Sequence, residues 1–348
     1  MERITPVVQG YKTPENSEKD YVLGGTEVQP PVILPFGDWS AFTPLEEIQN
    51  KQGFETYGCV SYTILNAIEI LAEVQFSEDW NLSERFTYIA SGTDPENKGV
   101  DPRSVGDAVR KLGTIAEKDL SFNEFIATLA GFNSPKPLTK ELLNKGLEWL
   151  DNYVFRFYLL PKTNGKVTAE TLKDGLTKSP LLIALFAWAE RDGKYFRPNG
   201  AQDIHATLLV KENEVFDSYS PTKKILEDGF LITYAMGFSL RKKTQAEKDA
   251  EVKNLSLFVK ILQGIVALYQ SLLAKNTPIN KVEPIIPTIP SPTENTPPTP
   301  KNEEVPTPPK KGTRIEEWAD AIRRFENSPL SWKNPGAIKG LDGKFLQF

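Results

Sequence analysis

The sequence is short of the residues that crosslink proteins and bind metals. Its 348 residues include one cysteine, Cys59, and one histidine, His205. A single cysteine excludes a disulfide within the chain and is typical of a reducing compartment. A closed zinc site of Cys and His side chains needs four ligands, so it is excluded as well. The sequence therefore predicts neither a metal nor an organic cofactor.

The chain also lacks an excess of positive charge and an apolar run at its start. Its 41 Lys and Arg residues are outnumbered by 46 Asp and Glu residues, which gives a net charge of −5. Such a chain is not expected to bind nucleic acid or an anionic membrane. Residues 1–6 contain no apolar core of a signal peptide, so no secretory signal is expected.

Composition and hydrophobic periodicity divide the chain into five segments. Residues 1–37 form a polar arm with several prolines and glycines, and residues 38–243 form the folded domain. Residues 244–275 are predicted to be an amphipathic helix, and residues 276–312 a proline-rich disordered linker. Residues 313–348 regain helical patterning. The middle of the chain is therefore long enough to bury one large core.

Within the folded domain, helices are predicted to come first and strands later. Apolar residues at spacings of three and four predict helices over 60–73, 103–112, 138–157 and 168–177, and one after a cap at Asn81 or Ser83. Strand signals cover 180–188, 205–210, 214–219 and 226–240, and the last of these is predicted to be a strand pair. The first run also fits a core helix by pattern alone. This order predicts an α+β domain with an antiparallel sheet.

Cys59 lies where a loop containing glycines gives way to the helix over 60–73. A thiol at a helix N-terminus faces unpaired backbone N–H groups and the positive end of the helix dipole, and both lower its pKa. Cys59 is therefore a candidate nucleophile. The competing interpretation is that a free cysteine is a small buried hydrophobic residue, which is the commoner case for a cysteine taken alone.

A nucleophilic thiol needs a base, and His205 is the one histidine that can serve. Imidazole accepts the thiol proton, and a third polar group can orient the ring through its other nitrogen. Asp217 lies across the predicted hairpin from His205, whereas Asn213, the second candidate, lies in the turn. The backbone N–H of Cys59 and the amide of Gln52 are candidate oxyanion donors. The sequence thus predicts a Cys-His-Asp site.

The chain resembles papain-like cysteine peptidases over roughly residues 38–240. The resemblance rests on Asp38-Trp39, Gln52-Gly53, Gly58-Cys59, Asn81-Leu82-Ser83-Glu84, His205-Ala206 and Asp217-Ser218-Tyr219. It implies a two-lobed papain-like fold in which a helical half and an antiparallel β half meet at a cleft. It also implies that Cys59, His205 and Asp217 are catalytic, that Gln52 serves the oxyanion, and that peptides or proteins are the substrates.

The chain departs from that family at several positions. Gln52 is one residue further from the cysteine than in the family, Val60 replaces an aromatic residue, and Asp217 replaces asparagine. The family's disulfide cysteines are missing, and no long inhibitory propeptide is expected before the domain. These departures indicate a remote branch of the kind found in phage and prokaryotic genomes.

Residues 313–348 resemble the opening of a phage lysozyme-like peptidoglycan hydrolase. A helix carrying Trp318 and Glu326 is followed by Asn334-Pro335-Gly336. The resemblance implies that Glu326 is a possible general acid, since a hydrophobic pocket can raise the pKa of a glutamate. A second lobe is missing, so the segment is expected to be truncated and inactive. A phage or prophage setting is expected, with the protein cytoplasmic or associated with a virion.

The amphipathic helix carries a heptad seam over residues 250–274. The seam predicts that the helix docks on its own domain or self-associates. Lys260, Gln263 and Gln270 interrupt the apolar face, so a membrane span is not expected.

The favoured hypothesis is a cysteine endopeptidase. The alternative is a papain-fold structural or binding module of a virion or cell-surface assembly that no longer cleaves. A transferase or amidase that uses the same thiol is a third hypothesis.

Overall fold

The computed structural model describes residues 3–4, 10–14, 30–93 and 99–276. The chain divides into two compact units, Met1–Val259 and Lys260–Phe348. All the elements that surround Cys59 belong to the first unit. Residues 277–348, which include the predicted linker and the lysozyme-like segment with Glu326, lie outside the described residues.

Helix α1, Cys59–Phe76, runs through the core of the first unit. It begins after Gly58 and ends at Ser77, whose left-handed backbone (φ 55°) stops the helix. Every residue from Cys59 to Ala72 is buried. By length and composition α1 could cross a membrane, but 78% of it is buried inside the protein. It is therefore packed as the core helix of this fold.

Five shorter helices follow α1 in the described part of the first unit. They are α2 (Glu84–Ala90), α3 (Pro102–Leu112), α4 (Leu129–Phe132), α5 (Lys140–Leu150) and α6 (Ala169–Leu176). Each begins after a residue whose side chain accepts a hydrogen bond from a backbone N–H of the first turn. These caps are Ser83, Asp101, Thr128, Thr139 and Thr168. Local sequence thus sets where the helices start.

A six-stranded antiparallel sheet forms the other half of the domain, with strand order β2-β9-β3-β6-β7-β8. Its strands are β2 (Tyr153–Leu159), β3 (Leu181–Leu185), β6 (His205–Lys211), β7 (Glu214–Phe216), β8 (Lys223–Ile225) and β9 (Ala235–Lys242). Helix α1 packs on β3, β6 and β9. The predicted α+β fold, helices followed by an antiparallel sheet, is confirmed.

A second, three-stranded sheet has the order β1-β4-β5. It consists of β1 (Arg3–Ile4), β4 (Ala189–Arg191) and β5 (Lys194–Phe196), and both pairings are antiparallel. Part of the N-terminal arm therefore adds a strand to the hairpin that follows β3.

Two secondary-structure predictions are wrong. The helix expected over 138–157 ends at Leu150, and its second half is β2, which pairs in register with β9 over seven residues. The alternating aromatic residues of β2 fit this pairing, as in the stack of Phe155 on Phe238 at 5.9 Å. The strand pair expected over 226–240 is a single strand, β9, which continues to Lys242.

Helix α7, Gln245–Asn276, begins in the first unit and ends in the second. Val252 and Phe258 are 50% and 51% exposed in the first unit, and Ile265 is 53% exposed in the second. Self-association through this helix stays a prediction.

Four glutamates around α1 carry perturbed acidities. Burial raises the pKa of Glu69 and Glu84 well above the usual range, and nearby Glu47 raises both further. Burial also raises the pKa of Glu47 itself, which accepts a hydrogen bond from the Glu84 carboxyl, and raises the pKa of Glu117 to about 7. The folded protein therefore keeps protons on carboxyls that the unfolded chain would release.

We expect stability to fall as the pH rises from 5 to 8. A carboxyl whose pKa is raised by folding stabilises the fold fully below its unfolded pKa, near 4.3, and loses that contribution up to its folded pKa. The loss is about 1.4 kcal/mol per pH unit for each such carboxyl. Glu84→Gln should reduce this fall in the free energy of unfolding, measured with urea at each pH. In Glu73→Gln, a variant at an exposed position of α1, the free energy of unfolding should fall with pH as it does in the parent. Equal slopes in all three proteins would contradict the account.

Candidate active site

Cys59 is the first residue of α1, and its side chain is fully buried. The N–H groups of a first helical turn have no partner within the helix, so they face whatever lies at this end. The Thr63 hydroxyl donates to the Cys59 carbonyl at 2.8 Å and lies 3.2 Å from the Ala206 carbonyl. Thr63 thereby fixes the start of α1 beside the start of β6.

His205 opens β6 and meets both other residues of the predicted triad. Its Nε2 lies 2.6 Å from Asp217 Oδ1, and the Cys59 thiol is close enough to the ring to raise the pKa of His205. The rings of Trp188 and Tyr219 lie 5.6 and 5.2 Å from the imidazole. The structure thus brings Cys59, His205 and Asp217 together.

The electrostatics of this group favour a charged imidazole. Burial lowers the pKa of His205, but the charges of Asp217 and Cys59 and the hydrogen bonds to them outweigh burial and raise that pKa to about 10. Burial raises the pKa of Asp217, and the charges of His205 and Lys224 outweigh it and hold that pKa below its usual range. The ring is therefore an imidazolium at neutral pH, paired with a carboxylate.

Lys224 is part of the same cluster and was not found by sequence reasoning. Its Nζ lies 2.7 Å from Asp217 Oδ2, and the side chains of both residues are almost fully buried. Lys224 lies in a short strand beside two exposed residues, Lys223 and Ile225. A lysine flanked by exposed residues on a strand is a weak signal of burial, because strand residues alternate between faces.

The other two sequence candidates are placed differently. Asn213 is exposed in the turn between β6 and β7, away from the His205–Asp217 contact. Gln52 is half-buried, and its side chain makes no hydrogen bond with the described residues. The structure therefore leaves the Gln52 amide free and does not join it to the triad.

Gln49 is a further buried residue that the sequence analysis missed. Its Nε2 donates to Glu55 and to the Tyr219 hydroxyl, and its Oε1 accepts from the Ser218 hydroxyl at 2.6 Å. Its backbone N–H also donates to the Ser218 carbonyl at 3.0 Å. Gln49 thus ties the loop before Cys59 to the segment that follows Asp217, and both of its amide hydrogens are used.

Residues 10–12 of the N-terminal arm lie against the Cys59 thiol. A Cβ built at Gly10 would lie 2.7 Å from Cys59 Sγ, closer than side-chain atoms approach. A Cβ at Gly99, where φ is +130°, would lie 2.3 Å from the Gly10 carbonyl oxygen. Both positions therefore require glycine for the arm to lie where it does.

Backbone hydrogen bonds hold the arm on both sides. The N–H groups of Gly10 and Tyr11 donate to the Ile204 carbonyl at 3.1 Å, next to His205. The Val100 N–H donates to the Gly10 carbonyl at 3.2 Å, and the Lys12 N–H donates to the Val100 carbonyl at 3.1 Å.

The Tyr11 side chain anchors this stretch of the arm. It is 6% exposed, and its ring lies 6.0 Å from that of Tyr234. Although no long propeptide was expected, a peptide segment of the chain itself covers Cys59.

Within the part of the chain that the structure describes, no three His, Cys, Asp or Glu side chains are grouped so as to hold a metal ion. Glu326 lies outside that part, so its place relative to any other residue is not described.

Comparison with known proteins gives similarities to solved structures alone. No protein-family model and no curated protein matches the chain. Xylellain, a cysteine protease from Xylella fastidiosa, is 14% identical, with 68% of this chain and 97% of that chain covered and a TM-score of 0.48. Digestive procathepsin L 3 of Tenebrio molitor larval midgut is 15% identical, with 67% and 75% covered and a TM-score of 0.42. A Carica candamarcensis cysteine protease is 14% identical, with 58% and 96% covered and a TM-score of 0.41.

We expect Gly10→Ala to uncover the thiol. Its Cβ cannot fit against Cys59 Sγ, and overpacking of this kind costs ~1–3 kcal/mol, so the rate of Cys59 alkylation by iodoacetamide should rise by about tenfold or more. Tyr11→Ala should act in the same direction because it removes the buried anchor. Gly264→Ala, at a helix position with nothing within 4 Å, is the matched control and should react like the parent. A rate unchanged in both arm variants would show that the arm does not limit access.

Proposed function

We propose that the protein is a cysteine peptidase that hydrolyses peptide bonds through Cys59, His205 and Asp217. Support comes from the buried contact of a thiol at a helix N-terminus with an imidazole that is itself bound to a carboxylate. This residue set suits nucleophilic catalysis because an imidazole beside a thiol can accept the thiol proton.

One observation carries the choice of a peptide as substrate. Residues 10–12 of the arm lie over Cys59 and are bonded through their backbone to Ile204 on one side and Val100 on the other. Backbone hydrogen bonds of this kind can hold any peptide regardless of its side chains. A substrate that displaces the arm would meet the same donors and acceptors.

In the proposed reaction, the Cys59 thiolate attacks the carbonyl carbon of the scissile bond. The His205 imidazolium then gives its proton to the leaving amine, and the acyl group remains on the sulfur. Neutral His205 next takes a proton from water, whose oxygen attacks the thioester, and the acid product leaves. Asp217 holds the ring in the orientation that both transfers need.

The oxyanion of each tetrahedral intermediate needs donors. The backbone N–H of Cys59 lies in the first turn of α1, where it has no helical partner. We assign the second donor to the free amide of Gln52, since the amide hydrogens of Gln49 are both used.

A non-cleaving structural or binding module is the second candidate function. The observation that favours it is the complete burial of Cys59 beneath the arm. A module of this kind would never release the arm, whereas a peptidase must do so to act.

The biological setting belongs to the same proposal. We keep a phage or prophage origin, cytoplasmic or virion-associated, as the hypothesis that the sequence resemblance suggests. The proposed lysozyme-like role of Glu326 and self-association through residues 250–274 rest on sequence patterns alone.

The two candidate functions are separated by hydrolysis of a fluorogenic peptide library in a Tyr11→Ala background. A peptidase should cleave, Cys59→Ala should abolish cleavage, and Asp217→Ala should leave weak activity because the imidazole is held less firmly. Thiol labelling supplies an independent readout, since the chain has one cysteine. Labelling of Cys59 should be fast in the protein that keeps His205 and slow in His205→Asn. If the Tyr11→Ala protein cleaves no peptide of the library, the peptidase function is ruled out.

A further inference from the structure

Both carboxylate oxygens of Asp217 are paired with a cationic group. Oδ1 lies 2.6 Å from His205 Nε2, and Oδ2 lies 2.7 Å from Lys224 Nζ. The three side chains are at most 1% exposed. Asp217 therefore does not act on His205 as an isolated negative charge.

The surroundings of Lys224 provide acceptors for an ammonium group. Burial lowers the pKa of Lys224 below its usual value, and the charge of Asp217 and the hydrogen bond to it offset part of that shift. Besides Asp217 Oδ2, its Nζ donates to the Tyr219 carbonyl at 2.6 Å and to the Pro221 carbonyl, so all three N–H bonds have an acceptor. The face of the Trp188 ring lies 4.9 Å from Nζ. Burying a lysine is costly unless it is paired and hydrogen-bonded, and this site meets both conditions.

We propose that Lys224 is a positioning residue of the site, whose ammonium group neutralises Asp217 so that the carboxylate orients the His205 ring without weakening the imidazolium as an acid. This inference rests on the proposed peptidase function. The Asp217–Lys224 pair is neutral as a unit.

The charge matters because the imidazolium must give its proton to the leaving amine. A general acid works best when its pKa is near the working pH. Asp217 alone would raise the pKa of His205 and make the imidazolium a poorer donor. A unit charge roughly 6 Å away, at an effective dielectric constant of about 20, shifts a pKa by about one to two units. Lys224 therefore offsets part of the increase in the His205 pKa that Asp217 causes.

The other ionisable groups around His205 and Lys224 do not replace this charge. Cys59 faces the ring from α1, Tyr219 from the segment after β7, and Tyr195 faces Lys224 from β5 at 5.8 Å. Glu55 lies behind Tyr219 and accepts a hydrogen bond from the Tyr219 hydroxyl at 2.6 Å. Lys224 is the one cation among these groups besides the imidazolium.

The test is the pH titration of the His205 ring nitrogens by NMR. The chain has a single histidine, so the signals need no assignment. Lys224→Met should raise the pKa of His205 by about one unit or more. In Asp217→Asn, the pKa of His205 should be the lowest of all the variants, because no carboxylate then offsets the charge of Lys224. In the double variant Asp217→Asn with Lys224→Met, the pKa of His205 should be about one unit higher than in Asp217→Asn. Lys223→Met, the exposed neighbour on the same strand, should leave the titration unchanged.

The comparison of the double variant with Asp217→Asn keeps the test decisive if Lys224→Met does not fold. That comparison contains no unpaired carboxylate, and a His205 pKa equal in the two proteins would overturn the proposal. If Lys224→Met folds, a pKa within about 0.3 units of the parent would overturn it as well, and Lys224 would then be a structural residue.

The titration needs no turnover, so it is separate from the proposed function. If the Tyr11→Ala protein cleaves no peptide, the peptidase proposal fails whatever the titration shows. If it cleaves, Lys224→Met should lower the kcat for peptides by about tenfold and leave thiol alkylation within about twofold, since alkylation needs no proton for a leaving amine. Cleavage at the parent rate would count against a role for Lys224.

Discussion

Opposite charges on His205 and Asp217 are held 2.6 Å apart with almost no access to water. Separating such a pair by removing one partner leaves a buried charge and costs ~3–5 kcal/mol, so the surrounding structure must keep both in place. The β6–β7 hairpin sets their spacing, Thr63 ties β6 to the start of α1, and Lys224 closes the far side of the carboxylate. The position of the Cys59 thiol follows from these contacts.

The same constraint explains why a peptide can lie across the site. Ile204 directly precedes His205, so the carbonyl that receives the arm is fixed by the strand that carries the imidazole. On the other side, Val100 comes within backbone hydrogen-bonding distance of the arm because neither Gly99 nor Gly10 carries a side chain. In the proposed peptidase, residues 10–12 of the arm mark the path of the substrate backbone.

Sequence reasoning succeeds here where the signal is local or where the inventory is small. The start of α1 at Cys59 follows from a glycine loop and an apolar helical period, and a single histidine leaves one partner for the thiol. It fails where pairing partners are distant. The helical pattern over 138–157 misses most of β2 because only β9, about eighty residues away, makes Tyr153–Leu159 a strand. The buried roles of Gln49 and Lys224 likewise depend on contacts that no local pattern encodes.

The most direct test of the account is a search for the acyl-enzyme. The Tyr11→Ala protein would be mixed with an activated peptide ester and quenched in acid within milliseconds to seconds. The products would be analysed by mass spectrometry of the intact protein and of its peptides. The account predicts an added acyl mass on Cys59 that forms faster than product in the steady state and is lost in His205→Asn. Turnover of the ester without any adduct on Cys59, or no reaction at all, would contradict it.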